Sequence, residues 1–214
     1  MRRLFDSLFS AYGPQHWWPA QGVEEMMIGA MLVQNTSWKQ VTLVIDRMKE
    51  QKCLSLATIR QWPEEDLWTL LRPVGYFRVK SRRLKALADC LGGYDDQPER
   101  LFQMETDPLR QTLLQVHGVG KETADSILCY AACRPLFVVD AYTKRLFRRL
   151  GWIDEKAGYD AIQTMVHQPL PRDAHLLGEL HALIVHHAKV HCRTKPVCLH
   201  CPLPFCPHHE RYSP

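Results

Sequence analysis

The sequence predicts an all-α protein, and three observations support that prediction. Apolar residues recur three and four positions apart through most of the chain; in residues 2–12, Leu4, Phe5, Leu8 and Phe9 fall on one face of a helix. Sustained alternation of apolar and polar residues, which is typical of a half-buried strand, occurs nowhere in the 214 residues. A turn with two glycines separates two helical patterns near the middle of the chain, as in a helical hairpin.

The first half of the chain divides into helices at its turn residues. Gly13-Pro14 ends the first helix, and residues 24–33 are nearly all apolar after two glutamates, which predicts a helix buried on most sides. A polar turn at residues 34–37 separates it from the next helix. The further helices expected here span residues 38–48, 55–61, 64–71 and 79–91.

The second half contains the two-glycine turn, Gly118-Val119-Gly120. Asp107-Pro108 is expected to cap the helix that leads into this turn. The turn leaves unpaired amide groups at the start of the following helix, where they and the helix dipole favour an anion such as phosphate. A hairpin that binds no ligand explains the two glycines equally well, because short glycine patterns are weak signals. Helices are also expected at residues 141–150, 156–166 and 172–190.

Composition describes a soluble globular protein with clustered basic residues. Hydrophobic residues make up 46% of the chain, and the net charge of +4 with a pI near 8.6 is only mildly basic. A polyanionic partner is therefore inferred from two clusters: Arg78, Lys80, Arg82, Arg83 and Lys85, and Lys144, Arg145, Arg148 and Arg149. We see no secretory signal and no apolar run of membrane-spanning length, so we expect a cytoplasmic monomer, associated with the nucleoid if the source is bacterial.

The eight cysteines form two groups. Those scattered through helical patterns are expected to be reduced core residues: Cys53, Cys90, Cys129 and Cys133. The others crowd into fifteen residues with spacings of five, two and four: Cys192, Cys198, Cys201 and Cys206. Four thiolates so close in sequence indicate a metal site, either an iron-sulfur cluster or a tetrahedral zinc.

The segment from Leu114 to Asp140 carries a longer motif than the glycine turn alone. A second apolar run, residues 136–139, follows the second hairpin helix and leads to Asp140 and a basic segment. In order and spacing this segment resembles the helix-hairpin-helix of the base-excision DNA glycosylases of the endonuclease III superfamily. In that family a Gly-Val-Gly hairpin precedes an apolar run that ends in a catalytic aspartate.

The resemblance covers essentially the whole chain and implies a two-lobed fold. A six-helix barrel with the helix-hairpin-helix is expected at residues 23–135, and a second helical domain with an iron-sulfur loop at residues 1–22 plus 136–214. Double-stranded DNA containing a damaged base is expected to lie across the cleft between the lobes. Members of this family act by swinging the damaged nucleotide out of the duplex.

Asp140 is the first catalytic candidate. Breaking an N-glycosidic bond builds positive charge on the sugar, which a carboxylate stabilises while it helps to place a water. A simple N-cap for the next helix is the alternative, and the two roles are compatible.

In the family that this chain resembles, the residue at position 122 decides whether the enzyme also cuts the DNA strand. Strand-cutting members carry there a lysine that attacks the sugar, whereas this chain has Glu122. Lys121 stands one residue earlier, about 100° around the helix, so we expect it to meet phosphate or solvent. The sequence therefore predicts a monofunctional glycosylase with weak or no lyase activity. Glu122 either orients the base or water, or is only a favourable first-turn carboxylate.

The resemblance also assigns DNA contacts. Gln34 matches the glutamine that the family inserts into the gap left by the flipped nucleotide, and Tyr76 matches a wedge on the opposite strand. Gly118, Gly120 and Lys121 are expected to bind the DNA backbone at the hairpin. Gln34 and Tyr76 are otherwise ordinary surface residues.

Three tryptophans are expected to form the base pocket. Trp17-Trp18-Pro19 and Trp38 resemble the 3-methyladenine DNA glycosylase III branch, in which such aromatics stack on the base. A purine methylated at N3 is cationic, and an aromatic face attracts a cation by about 0.5 to 2 kcal/mol. Packing in the core is the alternative for each ring. We therefore expect the substrate to be an alkylated purine such as 3-methyladenine.

The cysteine spacing departs slightly from the family. Endonuclease III relatives hold a [4Fe-4S] cluster through Cys-x6-Cys-x2-Cys-x5-Cys, and this chain is one residue shorter in each long gap. A structural [4Fe-4S] cluster that orders a basic loop near DNA is nevertheless preferred over zinc. His200, His208 and His209 are alternative ligands or simply exposed histidines.

Other functions remain open at this point. A glycosylase specific for mismatched adenine or thymine also lacks the lysine, although no dedicated domain for reading the opposite base is seen. A bifunctional endonuclease III-like enzyme is disfavoured by Glu122. A DNA-binding module without catalysis is disfavoured by Asp140.

Overall fold

The computed structural model describes residues 1–18 and 20–208, and in this part of the chain the regular structure is entirely helical. The all-α prediction is therefore confirmed. The helices are α1 (Arg2–Tyr12), α2 (Val23–Leu32), α3 (Trp38–Glu50), α4 (Leu56–Gln61), α5 (Glu64–Leu71), α6 (Phe77–Gly92), α7 (Pro98–Leu101), α8 (Thr106–Gln115), α9 (Lys121–Ser126), α10 (Ala141–Arg149), α11 (Tyr159–His167) and α12 (Ala174–Val190). A 3₁₀ turn at Arg72–Val74 follows α5, and a π-helical turn at Ile127–Ala131 continues α9.

The chain forms two compact units. One is the continuous segment from Trp18 to Ala132, called here the central unit; the other, the terminal unit, combines Met1–Trp17 with the chain from Cys133 onward. Each unit has its own buried apolar residues. The assignment of a six-helix barrel to residues 23–135 stays a prediction.

Helix α2 is the buried centre of the central unit. Every residue from Met26 to Leu32 is buried, as its apolar sequence requires, and the helix packs against α3, α6 and α9. Gly29 allows an aromatic ring to approach, because a Cβ atom there would lie 3.1 Å from Cη2 of Trp38. The indole of Trp38 therefore rests directly on α2.

Helix α12 is the buried centre of the terminal unit. Its apolar residues are buried together with Leu4 and Leu8 of α1 and with Leu146 and Phe147 of α10. Two cysteines of the C-terminal group, Cys192 and Cys206, belong to the same apolar cluster. The C-terminal loop is thus part of the core of this unit.

Most predicted helix starts agree with the structure to within two residues, and two expectations need correction. Helix α8 begins at Thr106 after Glu105, so Asp107-Pro108 lies within its first turn and does not cap it; proline is tolerated there because first-turn amides have no helical partner. Helix α11 begins three residues later than expected, because Asp154 Oδ1 accepts a hydrogen bond from the Lys156 amide at 2.8 Å and holds that segment in a turn.

The cysteine expectation is wrong in part. Cys53 and Cys129 are buried, Cys90 is partly buried, and Cys133 is exposed. Cys133 has a φ of +50°, which places it in a turn after the π-helical segment rather than inside a helix. In the described ranges, none of the helices combines the length and apolar character needed to cross a bilayer.

Candidate functional site

A fixed extended segment leads to Asp140. Phe137 lies in this segment without a neighbouring strand, so side chains satisfy its backbone. Its amide donates to Nε2 of His167 at 3.0 Å, and its carbonyl accepts from Nε2 of Gln163 at 2.8 Å. The residues before Asp140 are buried as well. Asp140 is therefore presented by a rigid piece of backbone rather than by a loose loop.

The carboxylate of Asp140 is buried and charged. Only 8% of the residue is exposed; its Oδ1 accepts a hydrogen bond from the Thr143 amide at 2.7 Å, and its Oδ2 lies 3.5 Å from Nε2 of His181. Burial raises the pKa of Asp140, but the hydrogen bond and charge of His181 and the Thr143 amide outweigh burial and hold the pKa below its usual range. Asp140 is thus both the N-cap of α10 and an ionised carboxylate at neutral pH.

His181 was not identified from the sequence. It lies in the middle of α12, is 5% exposed, and meets the rings of Trp17 and Phe137 edge to face. The available signal was a histidine inside the otherwise apolar run from Leu180 to Val185. A buried imidazole in such a run needs a polar partner, and Asp140 provides it.

The three tryptophans expected in the base pocket fall into two groups. Trp17 belongs to the terminal unit, where its edge meets His181 and Nζ of Lys189 lies 5.3 Å from the centre of its ring. Trp18 and Trp38 lie together in the central unit, with ring centres 5.2 Å apart. Pro19, the third residue of the Trp-Trp-Pro segment, is outside the described residues.

Tyr130 completes the aromatic group of the central unit and was also missed from the sequence. Its ring stacks on Trp18 with a centre-to-centre distance of 5.4 Å and an angle of 29°. The indole nitrogen of Trp18 is buried and makes no hydrogen bond within the described residues. Trp18, Trp38 and Tyr130 are called the aromatic cluster below. Tyr130 is in the π-helical turn after α9, where the α-helical spacing of side chains, which was used to predict helix faces, does not apply.

Gln34 is engaged inside the central unit. Its Nε2 donates to the carbonyl of Gly118 at 3.1 Å and to Oγ1 of Thr123 at 3.0 Å, and its Oε1 accepts from Nη1 of Arg83. The turn that was expected to face DNA therefore ties α2 to the hairpin. Insertion of this side chain into a DNA duplex would require these hydrogen bonds to be exchanged.

The two glycines of the hairpin have different reasons to be glycine. Gly118 has a φ of +85°, and a Cβ there would collide with the side chain of Arg83, which lies across it. Gly120 has an ordinary extended φ of −94°, and a Cβ there would meet no atom within 4 Å. Lys121 and Glu122 follow in the first turn of α9, and both are exposed.

A buried ion pair braces the hairpin. Arg110 of α8 donates from Nε to Oδ1 of Asp125 at 2.6 Å and from Nη2 to Oδ2 at 3.1 Å, and Asp125 is fully buried. Removing one member of such a pair leaves the other charge buried without its counter-ion, which costs about 3 to 5 kcal/mol. The hairpin helices are therefore held at a fixed separation.

Tyr76 is exposed and lies on a strained backbone. Its ring is 71% exposed, its φ is +45°, and it is the N-cap of α6. The turn is held by Lys80, whose buried Nζ donates to the carbonyl of Val74 at 2.7 Å. Burial, with a contribution from Arg83, lowers the pKa of Lys80 to about 8.

Most of the basic clusters read from the sequence serve contacts within a unit. Lys80, Arg83 and Lys85 make hydrogen bonds inside the central unit, and Arg145 and Arg149 do so inside the terminal unit. The exposed members of the two clusters are Arg78, Arg82 and Arg148. The surface available to a polyanion is thus smaller than the sequence suggested.

The four C-terminal cysteines line one pocket in the terminal unit. His187, His191 and Arg149 share its wall. Nη1 of Arg149 lies 3.1 Å from Sγ of Cys192, a position that suits a negatively charged sulfur. Within the described residues, no three side chains of the metal-binding types are gathered closely enough to hold a single ion. His208 also lines the cavity, and His209 is outside the described residues.

Helix α10 connects the cysteine loop to Asp140. At its C-terminal end, Arg149 donates to the carbonyls of Arg193 at 2.6 Å and Thr194 at 2.9 Å. One turn earlier, Nε of Arg145 donates to the carbonyl of Cys192 at 2.7 Å. The basic face of this helix therefore holds the loop, while its N-terminus is capped by Asp140.

Comparison with known proteins agrees with this architecture. Residues 28–172 match the family described as HhH-GPD superfamily base excision DNA repair protein. A protein of Methanocaldococcus jannaschii, named as a candidate DNA repair glycosylase, is 44% identical over 207 residues, which is 95% of this chain and 94% of that protein.

Two solved structures are similar in fold. An endonuclease III in a non-covalent complex with DNA superposes with a TM-score of 0.85 at 22% identity, covering 98% of this chain and 95% of that one. A 3-methyladenine DNA glycosylase of Helicobacter pylori, bound to 1,N6-ethenoadenine, superposes with a TM-score of 0.74 at 28% identity, covering 87% and 96%. The chain belongs to the HhH-GPD superfamily of base excision DNA repair proteins.

Proposed function

We propose that the protein is a monofunctional DNA glycosylase that hydrolyses the N-glycosidic bond of an alkylated purine such as 3-methyladenine. The observation that carries this proposal is Asp140, a carboxylate that is 92% buried and yet held in its charged form by His181 and Thr143. An ionised carboxylate in a dry site stabilises a neighbouring positive charge far better than one in water.

The reaction consists of one displacement by water. The bond between C1′ and the base breaks, the base leaves with the electron pair, and positive charge develops on the deoxyribose. Asp140 stabilises that charge and orients a water whose oxygen bonds to C1′. The water releases one proton, and the products are the free base and an abasic strand.

Glu122 supports hydrolysis rather than covalent capture. A strand-cutting member of the family carries an amine at this position, and a glutamate has no nitrogen to form a Schiff base. Lys121 is an exposed residue of the same first helical turn, where its ammonium suits a phosphate. We therefore assign Lys121 to the DNA backbone and Glu122 to orienting the base or the water.

The aromatic cluster supports a flat, electron-poor base as substrate. Trp18, Trp38 and Tyr130 present π-surfaces within one unit, and such faces attract a cation as well as stacking on a planar ring. The similar H. pylori enzyme is described as a 3-methyladenine glycosylase bound to an alkylated adenine. A purine methylated at N3 is already a good leaving group, so shape and stacking carry more of the selectivity than acid catalysis. Trp17 is assigned to base recognition from the Trp-Trp-Pro sequence alone.

Tyr76 and the hairpin suit contacts with duplex DNA. An exposed aromatic ring on a strained turn is well placed to wedge between bases, and strain of this kind concentrates at functional positions. Packing within the protein does not require glycine at position 120, and the open space there leaves room for a phosphate. Gly118 is assigned to the same backbone contact from its place in the hairpin motif, with the side chain of Arg83 lying across it. Gln34 is assigned to the gap in the duplex, which it would enter by exchanging its hydrogen bonds to the hairpin.

We assign a structural [4Fe-4S] cluster to the four C-terminal cysteines. Cys192, Cys198, Cys201 and Cys206 line one pocket of the terminal unit, and four thiolates are the ligands that such a cluster uses. The guanidinium of Arg149 offsets the charge of the thiolates. When bound, the cluster would supply cross-links that hold the loop to α10, and no step of the hydrolysis passes through it.

A panel of substrates tests the proposed function. The protein is incubated with duplexes that contain 3-methyladenine, 7-methylguanine, uracil, an oxidised pyrimidine or an A·G or T·G mismatch, and the released base is identified. We expect release of 3-methyladenine and a strand break only after alkali. Release from a mismatch alone, or a strand break without alkali, would replace the proposal by one of the other activities of the superfamily.

A further inference from the structure

We propose that His181 is the positioning residue of the active site: its imidazole, clamped between two aromatic rings, holds the carboxylate of Asp140 in one orientation. The inference rests on the proposed function of Asp140 and adds to it a second residue, on a different helix, that the sequence motif does not contain.

Both carboxylate oxygens of Asp140 face a partner. Nε2 of His181 lies 3.5 Å from Oδ2 of Asp140, while Oδ1 accepts from the Thr143 amide at 2.7 Å. One oxygen of the carboxylate is therefore hydrogen-bonded from α10, and the other faces the imidazole on α12 at ion-pair distance. Contacts at both oxygens favour one orientation of the carboxylate, and placement of a reacting group is worth large factors in rate.

Two aromatic rings contact the imidazole of His181. Trp17 and Phe137 meet its ring at interplanar angles of 89° and 81°, with ring centres 6.1 and 6.3 Å away. Edge-to-face contacts on a residue that is 5% exposed leave the ring little freedom, so the direction of Nε2 is set by packing. Trp17 then has a second role besides the base pocket, because its contact with His181 helps to keep the imidazole directed at Asp140.

His181 also favours the charged form of Asp140. Burial opposes the charged form of Asp140, and His181 is the largest of the influences that restore it. The other ionisable side chains of these three helices are Tyr142, Lys144, Arg145, Arg148 and Arg149 of α10, Tyr159, Asp160 and His167 of α11, and His175, Glu179, His186, His187 and Lys189 of α12. Tyr159 and His167 are hydrogen-bonded to the amides of Val139 and Phe137. Without the imidazole, burial would prevail over the Thr143 amide and Asp140 would become harder to ionise.

The test measures the ionisation of Asp140 directly. Full-length protein is labelled with ¹³C at the aspartate carboxyls, and the Asp140 resonance is identified by its loss in Asp140→Asn. In the wild type we expect Asp140 to titrate below the usual aspartate value of about 3.9. In His181→Phe, which keeps a ring but has no donor, we expect the titration to move up by about one pH unit or more. His181→Gln, with an uncharged donor, should give a smaller upward shift.

Base release gives the second readout. His181→Phe should lower kcat roughly 10- to 100-fold with little change in KM, and should move the acid limb of its pH profile upward with the NMR titration. His175 lies exposed on the same helix, so the same two substitutions there serve as matched controls and should change neither quantity.

The outcomes separate the two proposals. A folded His181→Phe protein whose Asp140 titrates as in the wild type overturns the role of His181, even if Asp140→Asn is inactive. If His181→Phe does not fold, an unshifted titration in His181→Gln overturns it instead. If the titration of Asp140 shifts in the His181 variants but Asp140→Asn is fully active, the role of His181 stands and the proposed function is wrong.

Discussion

Two acidic residues at the beginnings of helices have opposite surroundings in this protein. Asp140 caps α10, is 8% exposed and has both carboxylate oxygens facing named partners. Glu122 lies in the first turn of α9 and is exposed. Both positions are favourable for a negative charge because of the helix dipole. A helix start alone therefore does not distinguish the two carboxylates; burial, the contact with His181 and the lowered pKa set Asp140 apart.

The largest effect is expected from removing the charge of Asp140. Asn is also a good N-cap, so Asp140→Asn should fold normally and lose about 10²- to 10³-fold in the rate of base release, because the developing charge on the sugar loses its counter-charge. Glu122→Gln, the matched substitution at the exposed carboxylate, should lose less than about tenfold. Single-turnover kinetics on methylated DNA measure both. Equal losses in the two variants would remove the distinction between buried and exposed carboxylates.

The two hairpin glycines differ in a similar way, because Gly118 faces another side chain and Gly120 faces open space. Gly118→Ala must adopt a positive φ and displace Arg83, so we expect a loss of stability of about 1 to 3 kcal/mol. Gly120→Ala meets no protein atom and should keep the wild-type stability while weakening the binding of duplex DNA. Urea unfolding and DNA titration at fixed salt separate the two effects. Strong destabilisation by Gly120→Ala would mean that packing, and not a ligand, requires that glycine.

Stability should depend on pH through Asp140. Its pKa is lowered in the folded protein, so its contribution is fully present above the unfolded value of about 3.9 and is lost as the pH falls through the folded value. The wild type should therefore exceed Asp140→Asn in stability at pH 6 to 7, and the difference should shrink below pH 4. Urea unfolding of both proteins across this range measures the difference. A gap that stays constant down to pH 2 would argue against the lowered pKa.

The smallest effect is expected at Tyr76. Because its ring is 71% exposed and its backbone is strained, Tyr76→Gly should leave stability unchanged or raise it slightly. Binding to a duplex with an abasic site should weaken by a few kcal/mol at most, since one unstacking wedge is lost. Thermal unfolding and DNA affinity together test this. A large loss of stability would show that the ring packs within the protein.

The sequence was sufficient for the fold class, most helices and the position of Asp140. Helical spacing of apolar residues depends on neighbours along the chain, and the proposed catalytic aspartate follows a motif within one segment. His181, Tyr130 and Arg149 were out of reach, because their importance arises from contacts with residues 41, 112 and 43 positions away: Asp140, Trp18 and Cys192.

Errors in the sequence interpretation have the same physical origin. The cationic residues near the start of α6 were assigned to a polyanion, yet Arg83 and Lys80 are occupied by Gln34 and by the backbone of Val74. Cys133 was assigned to the core because helical periodicity seemed to continue past the π-helical turn. Local patterns do not reveal where a side chain finds its partner.

Borohydride trapping during turnover is the most direct test of hydrolysis by water. The wild-type protein is mixed with DNA containing 3-methyladenine in the presence of sodium borohydride, and the free base and any protein–DNA adduct are quantified together. We expect full release of the base, an intact abasic strand and no adduct, since in the proposed mechanism Asp140 directs water to the sugar and position 122 carries no amine. Accumulation of a covalent adduct in step with base release would contradict this mechanism.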